Sequence, residues 1–230
     1  MAFDEPGQLT LAIDRAHEQT LSTFVQGPNE EIVSIMTQPR PGFRGIWLCG
    51  NQGSGKTHLL RAMTLLGKGI EQRQFVDTKS PRVLADLESA SRRGEVITVD
   101  DASKIAHQSG CEEALMATYE RLNTSNGLLI VGDRLAATAT DFSIADLNSR
   151  MRSLMHYQMM PLVDEEKSEI LRARALHRGY ELNESVLSYW LARGPRDLRL
   201  LLTDLDRLDR ASLAHQRHVT IPLLKEVLGY

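Results

Sequence analysis

The sequence predicts an α/β protein in which a domain built on a five-stranded parallel sheet precedes a small, all-helical domain. Short apolar segments bounded by turn residues alternate with segments of helical periodicity through the first two thirds of the chain. A glycine-rich turn follows the first apolar segment, and after Asp164 no further strand-like segment occurs. We therefore place a domain boundary near Pro161, which gives one domain over 23–161 and a second over 162–230.

Five apolar segments have the length and the residue types of buried strands. In chain order they are residues 45–49, 73–77, 96–100, 127–132 and 154–160. Helices are expected between them at 56–66, 81–91, 112–123 and 144–151. Because helical connections link successive strands, the strands are expected to run parallel.

The last third of the chain predicts helices alone. The first is expected to begin at Asp164, as its N-cap, and to end before Gly179, which suits the left-handed position after a helix. Three more helices are expected to start after Asn183, at Gly194 and at Thr220. Leucines at a spacing of three and four predict one buried face on the third of these four helices, and they are Leu198, Leu201, Leu202, Leu205 and Leu208.

The composition favours a globular cytoplasmic protein. The 230 residues are 42% hydrophobic and carry a formal charge of −3, so no overall positive field would attract nucleic acid. Cys49 and Cys111 lie far apart without metal-ligand spacing, and neither a disulfide nor a metal cluster is expected. Asp4 and Glu5 stand where a signal peptide carries basic residues, and no apolar run approaches the roughly 18 residues of a membrane span.

The segment GNQGSGKT, residues 50–57, fits the phosphate-binding pattern GxxxxGK[ST]. It follows the predicted strand 45–49 and opens a predicted helix, so its backbone N–H groups would surround an anion at a helix N-terminus. Lys56 is expected to neutralise the β- and γ-phosphates, and the Thr57 hydroxyl is expected to bind Mg²⁺. The predicted nucleotide-binding residues of this region are Gln52, Gly53, Ser54, Gly55, Lys56, Thr57 and His58.

Acidic residues follow two of the predicted strands. Asp100 and Asp101 end the segment VITVDD, where a P-loop protein needs a carboxylate for Mg²⁺. We predict that Asp100 is the Mg²⁺ ligand and that Asp101 and Asp133 lie near the γ-phosphate and the attacking water. Asp101 is shorter than the glutamate expected of an efficient hydrolase, which predicts slow intrinsic hydrolysis. The alternative is that Asp100 and Asp101 only cap a loop.

The N-terminal segment QLTLAI, residues 8–13, alternates apolar and polar residues close to a chain end. One interpretation is an edge strand of the protein's own sheet. The other is an extended peptide offered to a partner, followed by a polar linker that extends to residue 22.

The chain resembles the AAA+ ATPases of the DnaA branch, and within it the DnaA-related regulatory inactivators. The segments that carry the resemblance are TFVQGPNEEI (23–32), GNQGSGKTHLL (50–60), VDD (99–101), LLIVGDR (128–134), DLNSRMRS (146–153), PLVDEEK (161–167), RDLRLLLTDLDRLDRAS (196–212) and TIPLLKEVL (220–228). The last two, together with QLTLAI, point to the inactivators. The resemblance implies a P-loop AAA+ domain followed by a helical lid, with ADP or ATP and Mg²⁺ as cofactors.

Several residue roles are implied by this resemblance. Phe24 and Val25 would line the adenine pocket, and Arg196 would be the lid arginine that binds the nucleotide phosphates. Arg150, rather than Arg152, would be the arginine finger that acts on a neighbouring subunit's nucleotide. Alternatives remain for three of them: Phe24 packs the N-terminal arm, Arg196 is a surface charge, and Arg150 forms a structural salt bridge.

The resemblance also implies partners. The segment QLTLAI resembles the peptide that binds the DNA polymerase sliding clamp, although Ala12 replaces the usual proline. The residues implied in clamp binding are Gln8, Leu9, Leu11 and Ile13. The chain would then be a clamp-tethered regulator, in contact with DNA only through the clamp, that stimulates hydrolysis of the ATP bound to the initiator DnaA. It would repress re-initiation and could form a homo-oligomer.

Two other functions compete with this interpretation. A DnaA-like initiator or loader ATPase would act directly on DNA, but little sequence follows the predicted lid and only one short helix fits between Asp77 and Glu95. A small-molecule P-loop kinase is disfavoured because the predicted lid is helical and C-terminal.

Overall fold

A parallel sheet forms the centre of the first of two structural units. The computed structural model describes residues 19–66, 73–215 and 218–230, and the chain divides between Met160 and Pro161. The strands are β1 (Arg44–Cys49), β2 (Arg73–Asp77), β3 (Val96–Asp100), β4 (Leu128–Asp133) and β5 (Met155–Gln158). Their order is β2-β3-β4-β1-β5 and all neighbours are parallel, which confirms the predicted five-stranded sheet.

Two apolar clusters cover the two faces of the sheet. Successive strand residues point to opposite faces, so that Trp47 lies in one cluster whereas its neighbours Ile46 and Leu48 lie in the other. In β4, Leu129 belongs to the first cluster and Ile130 to the second. This arrangement explains why the strands are continuous apolar runs rather than alternating ones.

Helices and short 3₁₀ turns connect the strands. The helices of the first unit are α1 (Glu30–Thr37), α2 (Lys56–Thr64), α3 (Val83–Arg93), α4 (Ser109–Ser125) and α5 (Ala145–Arg152). The 3₁₀ turns are Leu21–Thr23, Gly27–Asn29, Ala102–Ile105 and Ala137–Ala139. Helix α1 was not predicted, because its eight residues are too few to show a clear period.

Strand β5 is shorter than the predicted segment 154–160. It lies at an edge of the sheet with β1 as its neighbour, and after Met159, whose N–H donates to Cys49 O, the chain turns away. The N–H of Met160 donates to Asn29 Oδ1 at 2.8 Å. A side chain that precedes α1 thus accepts the hydrogen bond that a neighbouring strand would accept within the sheet.

The second unit has its own apolar core. Its helices are α6 (Asp164–His177), α7 (Glu184–Arg193), α8 (Leu198–His215) and α9 (Ile221–Leu228). Trp190 lies in the centre of this core and is fully buried, and Leu201, Leu205 and Leu208 of α8 pack with it. Within the described ranges, no helix combines the length and the apolar character that are needed to cross a membrane.

Two predicted helix starts in this unit were wrong. Helix α6 has Val163 as its N-cap and Asp164 as its first residue. Helix α8 begins at Leu198 rather than Gly194, because Asp197 O accepts the first helical bonds, from the N–H groups of Leu200 and Leu201.

Candidate nucleotide-binding site

The glycine-rich loop between β1 and α2 curls around the start of α2. Gly53 and Gly55 have φ values of +83° and +92°, a left-handed backbone conformation that residues with a Cβ rarely adopt. Lys56 opens α2 and is only 7% exposed. Its Nζ donates to Gly50 O at 2.6 Å and to Asn51 O at 2.9 Å, so the ammonium lies inside the loop. Burial lowers the pKa of Lys56, and the charge of a nearby Asp100 carboxylate opposes that shift.

Thr57 and Asp100 meet beside this loop. The Thr57 hydroxyl donates to Asp100 Oδ2 at 2.6 Å, across the gap between α2 and the end of β3. Asp100 is 5% exposed, and its Oδ1 is a buried oxygen without a hydrogen-bond partner among the described residues. Burial raises the pKa of Asp100. A hydroxyl and a carboxylate oxygen with free coordination capacity are a donor set that fits Mg²⁺.

Asp101 has a strained backbone and a basic partner. Its φ and ψ of 54° and 51° are left-handed, an uncommon conformation for a residue with a side chain. Its carboxylate pairs with the Lys79 ammonium beyond the end of β2. Thr78 Oγ1 lies 2.8 Å from both Asp100 O and Asp101 O, which fixes the backbone at this corner. The structure thus places the Asp101 carboxylate against Lys79.

Asp133 ends β4 and is fully buried. Its Oδ2 accepts the N–H of Ser103 at 2.5 Å and its Oδ1 accepts the N–H of Leu135 at 3.0 Å. The carboxylate therefore joins the chain that follows β3 to the chain that follows β4. Its predicted place near the attacking water stays a prediction.

The segment before α1 packs against the P-loop. Phe24 is buried, whereas Val25 is half-buried. A Cβ at Gly55 would lie 3.0 Å from the Phe24 ring, so a side chain at that position would require the ring to shift by a few tenths of an ångström. The His58 ring meets the Phe24 ring edge to face, with centroids 5.1 Å apart.

The His58 side chain faces the N-terminal segment. Its Nε2 lies 2.9 Å from Thr20 O and 3.4 Å from Thr23 Oγ1. The predicted role of His58 in nucleotide binding stays a prediction. Its imidazole contacts the chain that leads into Phe24, an arrangement that the sequence pattern does not indicate.

Arg150 lies near the end of α5 with its side chain 44% exposed. Its Nε is 3.5 Å from Asp146 Oδ1, and its guanidinium lies 5.6 Å from the centre of the Tyr119 ring. Arg152 is exposed on the same helix two residues later. Residues two apart on a helix do not share a face, so the two arginines present their charges in different directions.

A buried carboxylate holds the start of α5. Glu112 of α4 is fully buried and accepts three backbone N–H bonds. The donors are His107 at 2.6 Å, Ser143 at 3.0 Å and Ile144 at 3.0 Å. Glu112 thereby ties the chain after β3 to the N-terminus of the helix that carries Arg150. No sequence pattern indicates this role, because all three donors are backbone groups and two of them, Ser143 and Ile144, lie far from Glu112 in sequence.

Arg196 belongs to the second unit, where it precedes α8. Its side chain is 74% exposed and its Nη1 lies 3.0 Å from Asp164 Oδ2. Hydrogen bonding from Lys167, with a smaller contribution from Arg196, lowers the pKa of Asp164. The predicted clamp-binding residues Gln8, Leu9, Leu11 and Ile13 lie outside the described residues.

Comparisons with known proteins agree with this architecture. Residues 164–228 match the family model of the Hda lid domain. The whole chain is similar to domain III of the replication initiation protein DnaA from Thermotoga maritima, with a TM-score of 0.76, 18% identity, and coverage of 92% of this chain and 96% of that one. AMPPCP-bound DnaA from Aquifex aeolicus gives a TM-score of 0.66 at 16% identity over 82% of this chain and 64% of that one.

The chain is also similar in fold to a protein of a different kind. The RuvB Holliday junction branch migration motor of Thermotoga maritima gives a TM-score of 0.66 at 14% identity, with coverage of 92% of this chain and 71% of that one. At these identities the likenesses show the fold. The parallel sheet, the glycine-rich loop and the helical second unit are the parts of this fold that are described above. More narrowly, residues 164–228 match a lid domain of the Hda family, and the chain shares the fold of domain III of DnaA.

Proposed function

We propose that the chain binds ADP or ATP with Mg²⁺ and acts as a clamp-tethered regulator that stimulates hydrolysis of the ATP bound to DnaA. The observation that carries this proposal is the exposed guanidinium of Arg150 on a helix whose N-terminus is held by the buried Glu112. The Hda-family lid and the DnaA-like fold support the same assignment. Repression of re-initiation would follow from loss of ATP-bound DnaA.

Each predicted nucleotide-binding residue would have a defined role in this proposal. The loop N–H groups and Lys56 would bind the phosphates, Thr57 and Asp100 would hold Mg²⁺, and Phe24 with Val25 would line the adenine pocket. The bound Mg²⁺ would supply charge neutralisation at the phosphate oxygens. Arg196 from the lid would add a charge-assisted bond to a phosphate. The fold shared with AMPPCP-bound DnaA supports this use of the site.

Intrinsic hydrolysis is expected to be slow. The Asp101 carboxylate, where a catalytic base would be needed, is paired with Lys79. Both carboxylate oxygens of Asp133 accept backbone N–H groups. Neither acid is therefore poised, in this arrangement, to take a proton from water. A regulator that keeps its own nucleotide would benefit from this property.

The action on DnaA would be in trans. Arg150 would reach the ATP of a neighbouring DnaA molecule and stabilise the charge that develops on the transferring phosphoryl group. An arginine supplied in this way raises turnover by about 10³- to 10⁵-fold. The segment that contains Gln8, Leu11 and Ile13 would bind the sliding clamp as an extended peptide and thereby concentrate the regulator on DNA.

The test mixes the protein with clamp-loaded DNA, Mg²⁺-ADP and DnaA carrying radiolabelled ATP, and follows the labelled ADP that forms. Fast hydrolysis is expected only when both the protein and the loaded clamp are present. Matched reactions replace the loaded clamp by free clamp or by bare single-stranded DNA. Equal stimulation by bare single-stranded DNA would favour a DnaA-like initiator that acts directly on DNA, which is the competing function.

A further inference from the structure

The described chain begins with a short turn that lies against helix α2. Thr20 and Thr23 close this turn, because the Thr20 N–H donates to Thr23 Oγ1 at 3.2 Å while the Thr23 hydroxyl donates to Thr20 O at 3.1 Å. The N–H of Phe24 donates to Leu21 O at 3.3 Å. The turn thus delivers Phe24 in a defined position immediately after it.

His58 joins this turn to α2. The carbonyl of Thr20 can only accept, so the 2.9 Å contact requires a proton on His58 Nε2. The same nitrogen lies 3.4 Å from Thr23 Oγ1, and the His58 ring meets the Phe24 ring at an interplanar angle of 79°. One imidazole therefore contacts the first, fourth and fifth residues of the segment Thr20–Phe24, which we call the arm.

His58 lies in the first turn of α2, so its contacts join the N-terminal segment to the P-loop. His58 directly follows Lys56 and Thr57, so the first turn of α2 carries the predicted phosphate-binding residues and the residue that holds the arm. Phe24 is enclosed by His58 and by Gly55, whose Cβ, if present, would lie 3.0 Å from the ring. Displacement of His58 would free Phe24 but would leave the loop glycines, Lys56 and Thr57 in place.

We propose that His58 is a positioning residue that ties the arm to the P-loop helix and thereby forms the base-binding side of the nucleotide pocket. This inference rests on the proposed function, in which Phe24 lines the adenine pocket. The Phe24 ring would then take part both in the docking of the arm and in the binding of the base. By linkage, adenine nucleotide stabilises the docked arm to the same degree that the docked arm strengthens nucleotide binding.

Two probes separate the base from the phosphates. Calorimetry with Mg²⁺-ADP and with Mg²⁺-pyrophosphate is compared for wild type, His58→Ala, Phe24→Ala and the double variant, with His218→Ala as an exposed histidine control. For His58→Ala we expect the Kd of ADP to rise about 10-fold, as loss of one hydrogen bond and one ring contact predicts, and the Kd of pyrophosphate to stay unchanged. The double variant should bind ADP no more weakly than Phe24→Ala, because both residues act through one ring.

Each other outcome overturns a defined part of the argument. Equal weakening of ADP and pyrophosphate would mean that His58 acts on the phosphates, and no weakening of either would mean that its contacts only pack the arm. A wild-type protein that failed to bind ADP would overturn the proposed function itself. Binding of ADP by wild type with an unchanged His58→Ala variant would overturn only the role of His58.

A second measurement tests the coupling without relying on affinity. Hydrogen exchange of the Thr23 and Phe24 amides should slow when Mg²⁺-ADP is added to wild type, and His58→Ala should lose that protection. His58→Gln retains a donor that can reach Thr20 O, and it should restore part of the protection even if His58→Ala is poorly folded. Protection by ADP that is equal in wild type and both variants would contradict the inference.

Discussion

The Thr57 hydroxyl donates to one oxygen of Asp100, while the other oxygen of that carboxylate is buried without a hydrogen-bond partner among the described residues. A buried carboxylate oxygen in this condition is costly unless a ligand or water satisfies it. The cost is consistent with the raised pKa of Asp100, which burial causes. This arrangement supports the proposal that the pair is a cation site, completed when nucleotide and Mg²⁺ bind.

Asp100→Asn tests this explanation. The amide keeps the size of the side chain but removes the negative charge that a divalent cation requires. We expect the variant to bind ADP in EDTA about as tightly as wild type does. It should lose most of the increase in ADP affinity that Mg²⁺ causes in wild type. Calorimetry with and without Mg²⁺ measures both effects. If Mg²⁺ increased the ADP affinity of Asp100→Asn as much as that of wild type, the cation would bind elsewhere.

Lys56→Ala should abolish tight binding of ADP without unfolding the protein. The buried ammonium donates to loop carbonyls, and the Asp100 carboxylate near it keeps the hydrogen bond from Thr57 when the ammonium is removed. The melting temperature should therefore stay close to that of wild type, which circular dichroism can follow. Wild-type affinity for ADP in this variant would show that the P-loop assignment is wrong.

The sheet could be predicted from the sequence because parallel strands buried on both faces leave continuous apolar runs. The predicted strands 73–77 and 96–100 have the bounds that the structure shows. The P-loop pattern located Lys56 and Thr57, and the rule that a carboxylate follows a neighbouring strand located Asp100. Local patterns carry this information, since each group lies at the end of a strand or the start of a helix.

The hydrogen bonds that hold the segments around the candidate site could not be predicted in the same way. His58 bonds to the carbonyl of Thr20, and Glu112 bonds to the N–H groups of Ser143 and Ile144. Backbone partners leave no trace in the residue types, and these contacts join segments about 30 or more residues apart. Asp101 is a third case, because neither its left-handed backbone nor its pairing with Lys79 follows from the motif VDD.

His58 should make stability depend on pH in the weakly acidic range. Burial lowers the pKa of His58 from its ordinary value of 6.5, with the hydrogen bond to Thr20 as a smaller opposing effect. Below about pH 6.5 the unfolded chain therefore binds more protons at this residue than the folded chain does. The contribution of neutral His58 to the free energy of unfolding is present above pH 6.5 and is lost as pH falls through the lowered folded-state pKa.

Urea unfolding at pH 5 and at pH 7.5 measures this effect. The stability difference between the two pH values should be smaller in His58→Gln than in wild type, because glutamine does not titrate. His218→Ala, which removes an exposed histidine, should retain the wild-type difference. An identical pH dependence in wild type and His58→Gln would show that protonation of His58 does not oppose folding.

Replacement of Gln8, Leu11 and Ile13 by alanine should eliminate clamp binding and leave the melting temperature nearly unchanged. An extended peptide gains its affinity from side chains in the partner's pockets and contributes nothing to a core of its own. Surface-immobilised clamp can measure binding while differential scanning calorimetry measures stability. A fall of several degrees in melting temperature with clamp binding intact would favour an edge strand in the protein's own sheet.

Arg150→Ala should lose stimulation of DnaA-bound ATP hydrolysis by about 10³-fold while ADP binding and clamp binding persist. Loss of stimulation is expected without loss of ADP binding, because the finger would act on the nucleotide of a neighbour and not on its own. In the structure, the Arg150 guanidinium has the exposed Asp146 and the face of the Tyr119 ring as neighbours, contacts of the kind that contribute little to stability. The variant should therefore melt within a few degrees of wild type.

Arg152→Ala is the matched control, since it removes the same charge from the same helix in a different direction. Labelled ADP formed on DnaA is measured at saturating regulator, so that a lower maximal rate can be distinguished from weaker association. Arg150→Ala should lower the maximal rate, whereas Arg152→Ala should retain it. A larger loss in Arg152→Ala would move the finger to that residue. Loss of ADP affinity in Arg150→Ala would make Arg150 part of its own nucleotide site, and the proposed action in trans would then fail.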